Sequence, residues 1–186
     1  YKEGRVQSNY DLDGAYIIGA DEIPLRGKVS WQDGAVVCDK NSEEAIALAI
    51  MWEVDGCGKY LLETTRLLDR GKPYNLNVEL ARWRLMRIVQ KLEDWGLFEY
   101  PNMDNIRERI ISAKSLFIQA LKEADNPEKA SKLADQSLKI SIETGEDLAK
   151  FHSAQMLGPR LETGSLGRRV LGCRINPSAD PANINP

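Results

Sequence analysis

The sequence predicts an α+β fold, in which an N-terminal antiparallel β-sheet or small β-sandwich is followed by about three helices packed against it. Two observations lead to this prediction. The first seventy or so of the 186 residues contain short β-prone segments separated by turns, whereas from Asn77 onward apolar residues recur at the spacings of three and four that a helix buries. A chain of this length can bury a hydrophobic core without disulfide bonds.

A β-hairpin is predicted from Leu25 to Cys38. The segments 27–31 and 35–39 flank the pair Asp33-Gly34, and such a pair favours a two-residue hairpin turn because both turn positions need a positive φ. Another short strand is predicted from Ala15 to Ile18, which lie between two glycines.

A longer strand is predicted from Ala45 to Trp52, where small and large side chains alternate. In a strand, this alternation places the large residues on one face against the core. These residues are Ile46, Leu48, Ile50 and Trp52. A helix is the alternative for residues 45–54, because Ser42-Glu43-Glu44 could cap one. The turn-like segment 55–58 favours the strand, with a partner strand over residues 59–67.

The clearest helix is predicted from Asn77 to Trp95, with Gly96 in the left-handed conformation that ends many helices. Its buried stripe consists of Val78, Ala81, Leu85, Ile88, Leu92 and Trp95. A second apolar face, formed by Leu80, Trp83 and Met86, predicts that the helix is covered on two sides.

Two further helices are predicted after this one. The second begins at about Asp104, a favourable N-cap, and buries Ile106, Ile110, Ala113, Phe117, Ala120 and Ala124. Asn126-Pro127 ends it and begins the third, because proline is favoured only in the first helical turn. The third helix extends to about Leu157, with Gly145 as a candidate break, and carries Leu133, Ile140, Leu148 and Phe151.

The predicted organisation is a β-rich half over residues 1–72 and a helical half over residues 73–158, packed together as one cooperative unit. Residues 159–186 are rich first in glycine and arginine and then in proline and asparagine. This composition predicts an extended linker. A linker in this place leads us to expect a further domain after it.

Composition argues against several classes of partner. The formal net charge of -3 provides no cationic field for a phosphate backbone, so we expect no nucleic-acid partner. No apolar run approaches the roughly 18 residues of a membrane span, so we expect no membrane partner. Cys38, Cys57 and Cys173 are far apart in the sequence. Three buried thiols are expected, with a Cys38–Cys57 disulfide as the alternative if their strands are adjacent.

The sequence does not assemble a recognisable active site. It has one histidine, His152, around which any serine or cysteine triad or multi-histidine metal site would have to be built. The stretch 164–167 lacks the lysine spacing of a phosphate-binding loop. We therefore expect no catalytic residue, no metal site and no cofactor, and a packed or surface position for His152.

Aromatic side chains are the best candidates for ligand binding, because their flat apolar faces can stack on sugar rings. The predicted carbohydrate-binding residues are Trp31, Gln32 and Asp33 at the hairpin tip, together with Tyr16 and Tyr60. Trp31 is expected to be an exposed platform there. The other three tryptophans, Trp52, Trp83 and Trp95, lie on faces assigned to the core.

The segment Lys72 to Arg84 concentrates polar residues where the β-rich half meets the first helix. A structural network is predicted, in which asparagine amides cap backbone groups and Glu79 pairs with Arg82. A ligand-binding hinge is the alternative interpretation.

The same region carries a resemblance to a known family. The segment from Arg70 to Gly96 (RGKPYNLNVELARWRLMRIVQKLEDWG) resembles the region that precedes the catalytic barrel in bacterial proteins similar to glycoside hydrolase family ten, the endo-xylanases. The segments Thr144 to Ala149 and Leu171 to Ile175 resemble the helix and linker that lead into such a barrel. The similarity covers most of residues 25–175.

The resemblance implies a position in a larger protein more than an activity. Family ten enzymes hydrolyse β-1,4-xylan on a (β/α)₈ barrel of about 250 residues, which does not fit in this chain. The Asn-Glu-Pro motif of the family's acid/base is absent, so no catalytic residue is transferred. The implied function is a non-catalytic accessory module of a xylanase-like hydrolase that binds xylan or a related plant polysaccharide.

In that setting the partners would be the polysaccharide and a catalytic barrel C-terminal to the linker, and the compartment would be extracellular or periplasmic. The alternative function is a structural or protein-interaction domain that docks on a neighbouring domain or subunit.

Overall fold

The computed structural model describes residues 11–165. The chain divides into two compact units, the first ending at Lys150 and the second beginning at Phe151. Among the described residues, antiparallel strands precede three helices, which confirms the predicted α+β fold. The elements are β1 (Tyr16–Ile18), β2 (Pro24–Leu25), β3 (Gly27–Gln32), β4 (Ala35–Lys40), β5 (Ala47–Val54), β6 (Gly58–Glu63), α1 (Leu76–Asp94), α2 (Asp104–Lys122) and α3 (Pro127–Glu162).

Strands β3 and β4 form the predicted hairpin as a separate two-stranded sheet. Asp33 and Gly34 occupy its turn with φ values of 49° and 80°, the left-handed conformations that a two-residue turn of this kind requires. The turn sets the register, in which Trp31 lies opposite Val36 and Gln32 opposite Ala35.

The other four strands form an antiparallel sheet in the order β2-β1-β5-β6. Its central strand β5 confirms the strand interpretation of residues 45–54 over the helical alternative. The large residues of β5 lie in the main core cluster with the helices: Leu48, Ile50, Trp52 and Val54. Ala47 and Ala49 lie on the opposite face, where they pack with Ile18 and Tyr16.

Helix α1 begins and ends with local capping interactions. The Asn75 side chain accepts a hydrogen bond from the backbone N–H of Val78 at 3.4 Å. At the other end Gly96 has φ 63°, and the backbone N–H of Leu97 donates to the carbonyl of Leu92 at 2.8 Å. This arrangement is the Schellman motif, which confirms the role predicted for Gly96.

The predicted buried stripe of α1 is confirmed from Val78 to Leu92, whereas Trp95 is half-buried. The second apolar face is covered only in part. Leu80 is buried and Trp83 is half-buried, but Met86 is 51% exposed. The prediction of cover on two sides is therefore wrong at Met86, where about half of the side chain is open to solvent.

Helices α2 and α3 correct three further predictions. The N-cap of α2 is Met103, and Asp104 is the first helical residue, where it pairs with Arg107 at 3.0 Å. Helix α3 runs without a break through Gly145 and continues to Glu162. Residues 159–162 are therefore helical and not part of an extended linker. The rest of the predicted linker, from residue 166 onward, lies outside the described residues.

The main core combines β5 with all three helices and with the hairpin. Ala120 of α2 and Leu138 and Ile142 of α3 belong to it, and Val29 and Val36 of the hairpin pack against it. Cys38 and Cys57 are free and half-buried, because they lie in the hairpin and in the β5–β6 turn, which belong to different sheets. The alternative of a disulfide between them is therefore wrong. Cys173 lies outside the described residues.

Candidate functional site

A cavity of about 590 Å³ lies between the hairpin, strand β5 and the segment 67–76 that leads into α1. We name it the hairpin cleft. Its size falls within the range of small-molecule sites, about 300 to 1,000 Å³. Its walls come from residues distant in the sequence, among them Trp31 and residues 33–38 on one side and residues 68–76 on the other.

Three aromatic side chains line the hairpin cleft: Trp31, Trp52 and Tyr74. Trp52 is only 7% exposed and belongs to the core, so it forms an inner wall. Trp31 and Tyr74 are half-buried. The Tyr74 hydroxyl donates to the carbonyl of Leu68 at 3.0 Å, and the guanidinium carbon of Arg70 lies 3.4 Å from the Tyr74 ring centroid. Tyr74 is therefore held in place by its own segment.

Two polar residues of the hairpin cleft are committed to the fold. The Asn75 amide donates to the Pro127 carbonyl at 3.1 Å and to the Ser131 hydroxyl at 3.0 Å. The Glu79 carboxylate accepts from the Thr65 hydroxyl at 3.1 Å and from the Arg82 guanidinium at 2.9 Å. These bonds confirm the predicted structural network, including the Glu79–Arg82 pair.

Two charged side chains of the hairpin cleft have no such commitment. Within residues 11–165, neither the Asp33 carboxylate nor the Lys72 ammonium makes a hydrogen bond or an ion pair. Both residues line the hairpin cleft. By contrast, Asp69 on the same wall pairs with Lys40 at 3.3 Å. Asp33 and Lys72 can therefore accept from and donate to a ligand without breaking an existing contact.

The structure brings together two of the five predicted carbohydrate-binding residues. Trp31 and Asp33 line the hairpin cleft, although Trp31 is half-buried in β3 and is not an exposed platform at the tip. Gln32 alternates to the other face of the hairpin, and its amide donates to the Ser30 hydroxyl at 2.9 Å. It does not line the cleft.

Tyr16 and Tyr60 lie elsewhere, on opposite faces of the four-stranded sheet. Tyr60 is opposite Trp52 and packs against the main core, whereas Tyr16 is opposite Ala49. Neither lines the hairpin cleft. Tyr74 and Lys72 were not among the predicted carbohydrate-binding residues, although both lie in the polar segment for which a ligand-binding hinge was the alternative interpretation.

Burial shifts the pKa of one group on the cleft wall and of one group away from it. Burial raises the pKa of the Cys38 thiol on the cleft wall. Burial also raises the pKa of Asp135 on α3 to about 6, but Asp135 lines neither described cavity. The half-buried His152 belongs to the second unit. The hairpin cleft thus offers stacking surfaces and two polar groups for binding.

Residues 11–165 contain neither a metal-binding cluster nor a membrane-spanning helix. No three histidine, cysteine, aspartate or glutamate side chains come close enough together to hold a metal ion. None of the helices in this part of the chain combines the length and apolar character needed to cross a membrane.

A second cavity, of about 290 Å³, lies at the edge of the four-stranded sheet between β6 and α1. Three arginines line it, and we name it the arginine pocket: Arg66, Arg84 and Arg87. It shares no lining residue with the hairpin cleft.

Comparison with known proteins found no matching family model, no significantly similar curated protein and no significantly similar solved structure. The function of the chain is therefore inferred from the geometry of its own cavities.

Proposed function

We propose that this chain is a non-catalytic accessory module of a xylanase-like glycoside hydrolase, and that it binds a xylan-like polysaccharide in the hairpin cleft. One observation carries the proposal. The hairpin cleft combines three aromatic side chains with the uncommitted Asp33 and Lys72. Sugar rings present apolar faces rimmed by hydroxyls, and this combination of stacking surfaces and separate polar groups suits them.

The two rims have different roles in this proposal. Trp31 supplies a stacking surface from the hairpin, and Asp33 accepts hydrogen bonds from sugar hydroxyls. Tyr74 supplies the facing surface, already oriented by its bond to Leu68 and by Arg70. This orientation lowers the entropy cost of binding, because the side chain is already ordered before the ligand arrives.

The test is a glycan-binding screen of the isolated chain that includes xylan and xylo-oligosaccharides, followed by affinity electrophoresis in soluble xylan. Trp31→Ala is expected to weaken binding roughly tenfold or more, since it removes an aromatic anchor. Gln32→Ala is the matched neighbour, because Gln32 lies off the cleft, and it should bind as the wild type does. Trp95→Ala controls for tryptophan loss outside both cavities.

Thermal unfolding of each variant separates a binding effect from a folding effect. The proposal is wrong if Trp31→Ala stays folded and is retarded by xylan as strongly as the wild type. It is also wrong if no glycan in the screen is bound.

A docking domain is the second candidate, and the exposed face of α2 favours it. Ile111, Ile118 and Leu121 are 65%, 51% and 40% exposed, and their spacing of seven and three residues places them on one helical face. An apolar stripe of this kind is a common interaction surface.

Sedimentation of the isolated chain over a range of concentrations tests docking on a second copy. Ile111→Ser with Ile118→Ser should abolish any self-association, and a wild-type chain that stays monomeric contradicts docking between copies.

A further inference from the structure

The arginine pocket contains a partly buried guanidinium, that of Arg84, which forms no ion pair with a carboxylate of the described residues. The Arg84 side chain extends from α1 to α3, where a Cβ on Gly145 would lie only 2.5 Å from its Nη2 atom. Its Nε is inaccessible to solvent and has no hydrogen-bond partner. Glu146 acts on it electrostatically, but no ion pair joins Arg84 to a carboxylate of the described residues.

Burial is costly for such a group. Desolvation lowers the pKa of the Arg84 guanidinium, yet an arginine side chain stays protonated in proteins. Burying a charge without a partner opposes folding, so buried charges are normally paired. An anion beside Arg84 would offset that cost.

The other arginines show that this situation is not general in the fold. Arg82 pairs with Glu79 at 2.9 Å and Arg107 pairs with Asp104 at 3.0 Å. Arg109 pairs with both Glu143 and Asp147. The pocket-lining Arg66 is half-buried and, within residues 11–165, has neither a hydrogen bond nor an ion pair. Among the described arginines that are at least half-buried, the two without an ion pair, Arg66 and Arg84, both line the arginine pocket.

The remaining lining residues limit the charge and shape of a ligand. Glu22 and Glu63 also line the pocket, but no ion pair joins either of them to its arginines. Three arginines and two glutamates leave a formal charge of +1, since 3 − 2 = 1. Trp83 contributes an apolar wall, and the Arg87 guanidinium lies 5.9 Å from its ring centroid. The balance favours one negative charge over two.

We propose that the arginine pocket binds the carboxylate group of a small ligand, with Arg66 and Arg84 as the donors and Trp83 as an apolar wall. The planar guanidinium fork matches the two oxygens of a carboxylate. The two glutamates disfavour a dianion such as phosphate by repulsion. This site is independent of the hairpin cleft, because the two cavities have no residue in common.

The test follows the indole N–H signal of Trp83 by NMR during titration of the whole chain with acetate and with glucuronate. Glucose controls for the ring without the carboxylate, and inorganic phosphate controls for another oxyanion. Acetate and glucuronate are expected to give saturable shifts, whereas glucose and phosphate at matched ionic strength should not. No saturable shift with either carboxylate overturns the proposal, and so does an equal response to phosphate.

The variants locate the site. Arg66→Gln and Arg84→Gln should each weaken carboxylate binding about tenfold or more, since each removes charge-assisted hydrogen bonds. Arg26→Gln is the matched control, because Arg26 is exposed and does not line the pocket. Equal weakening by Arg26→Gln overturns the assignment. If Arg84→Gln does not fold, Arg66→Gln decides alone, and unchanged affinity in that variant overturns the proposal.

Discussion

Replacing Asp135 with asparagine should stabilise the protein at neutral pH and leave its stability in acid nearly unchanged. The Asp135 carboxylate on α3 accepts a hydrogen bond from the Asn77 amide of α1 at 2.8 Å. Burial raises its pKa from 3.8 to about 6, and the hydrogen bond from Asn77 acts in the opposite direction. Compared with the unfolded chain, the folded protein therefore favours the protonated form of the Asp135 side chain.

The magnitude follows from the difference between folded and unfolded pKa values. Because the folded pKa is the higher one, the stability that this group contributes is fully present below about pH 4 and is lost as the pH rises to about 6. Each pKa unit is worth about 1.4 kcal/mol. The ionised carboxylate therefore lowers the free energy of unfolding by about 3 kcal/mol at pH 7 or above.

Asparagine is nearly isosteric with aspartate and keeps an oxygen that can accept from Asn77, but it cannot ionise. The assay is urea unfolding of the wild type and of Asp135→Asn at several pH values from 4 to 8. The difference in unfolding free energy should grow across this range in favour of the variant. Asp125→Asn removes an exposed carboxylate and should show no comparable growth. A pH-independent difference for Asp135→Asn would refute the reasoning.

Three further predictions concern the core, a close approach and activity. Leu85→Ala should lower the free energy of unfolding in urea by about 2 to 5 kcal/mol, because it opens a cavity in the buried stripe of α1. Met86→Ala, at the exposed neighbouring residue, should lower it by less than about 0.5 kcal/mol. Gly27→Ala should lower the stability by about 1 to 3 kcal/mol, since the new Cβ would lie 2.6 Å from the Asp39 carbonyl oxygen. Gly71→Ala is the control, because its Cβ would meet nothing within 4 Å. Equal thermal stability of the two variants would contradict the predicted clash. The isolated chain should release no reducing sugar from xylan above a heat-inactivated control, and sustained release would show that an active site was missed.

The elements that the sequence predicted well are those with a local physical cause. The β3–β4 hairpin forms where Asp33-Gly34 accepts two positive φ values. Helix α1 ends where Gly96 accepts another, and Pro127 begins α3 because its ring is compatible with a first helical turn. Each of these depends on a few consecutive residues.

The wrong predictions concern residues whose behaviour depends on distant neighbours. Gly145 does not break α3, and the absence of a side chain there leaves room for the guanidinium of Arg84. Met86 is exposed although its helical spacing matches a buried face. Periodicity identifies which residues share a face, but the packed neighbours decide whether that face is covered.

The candidate sites show the same division. Local sequence signals were enough to predict the α+β order, the hairpin, the three helices and the presence of Trp31 and Asp33 at one turn. Tertiary packing brings Tyr74 and Lys72 to the same cleft as Trp31 and Asp33, and local signals cannot predict this because the cleft joins the hairpin to a segment about forty residues further along the chain. It also placed Gln32 off the cleft and gathered Arg66 and Arg84 around one pocket. Local preferences act within a few residues, whereas a binding site is made by surfaces that meet only when the core has packed.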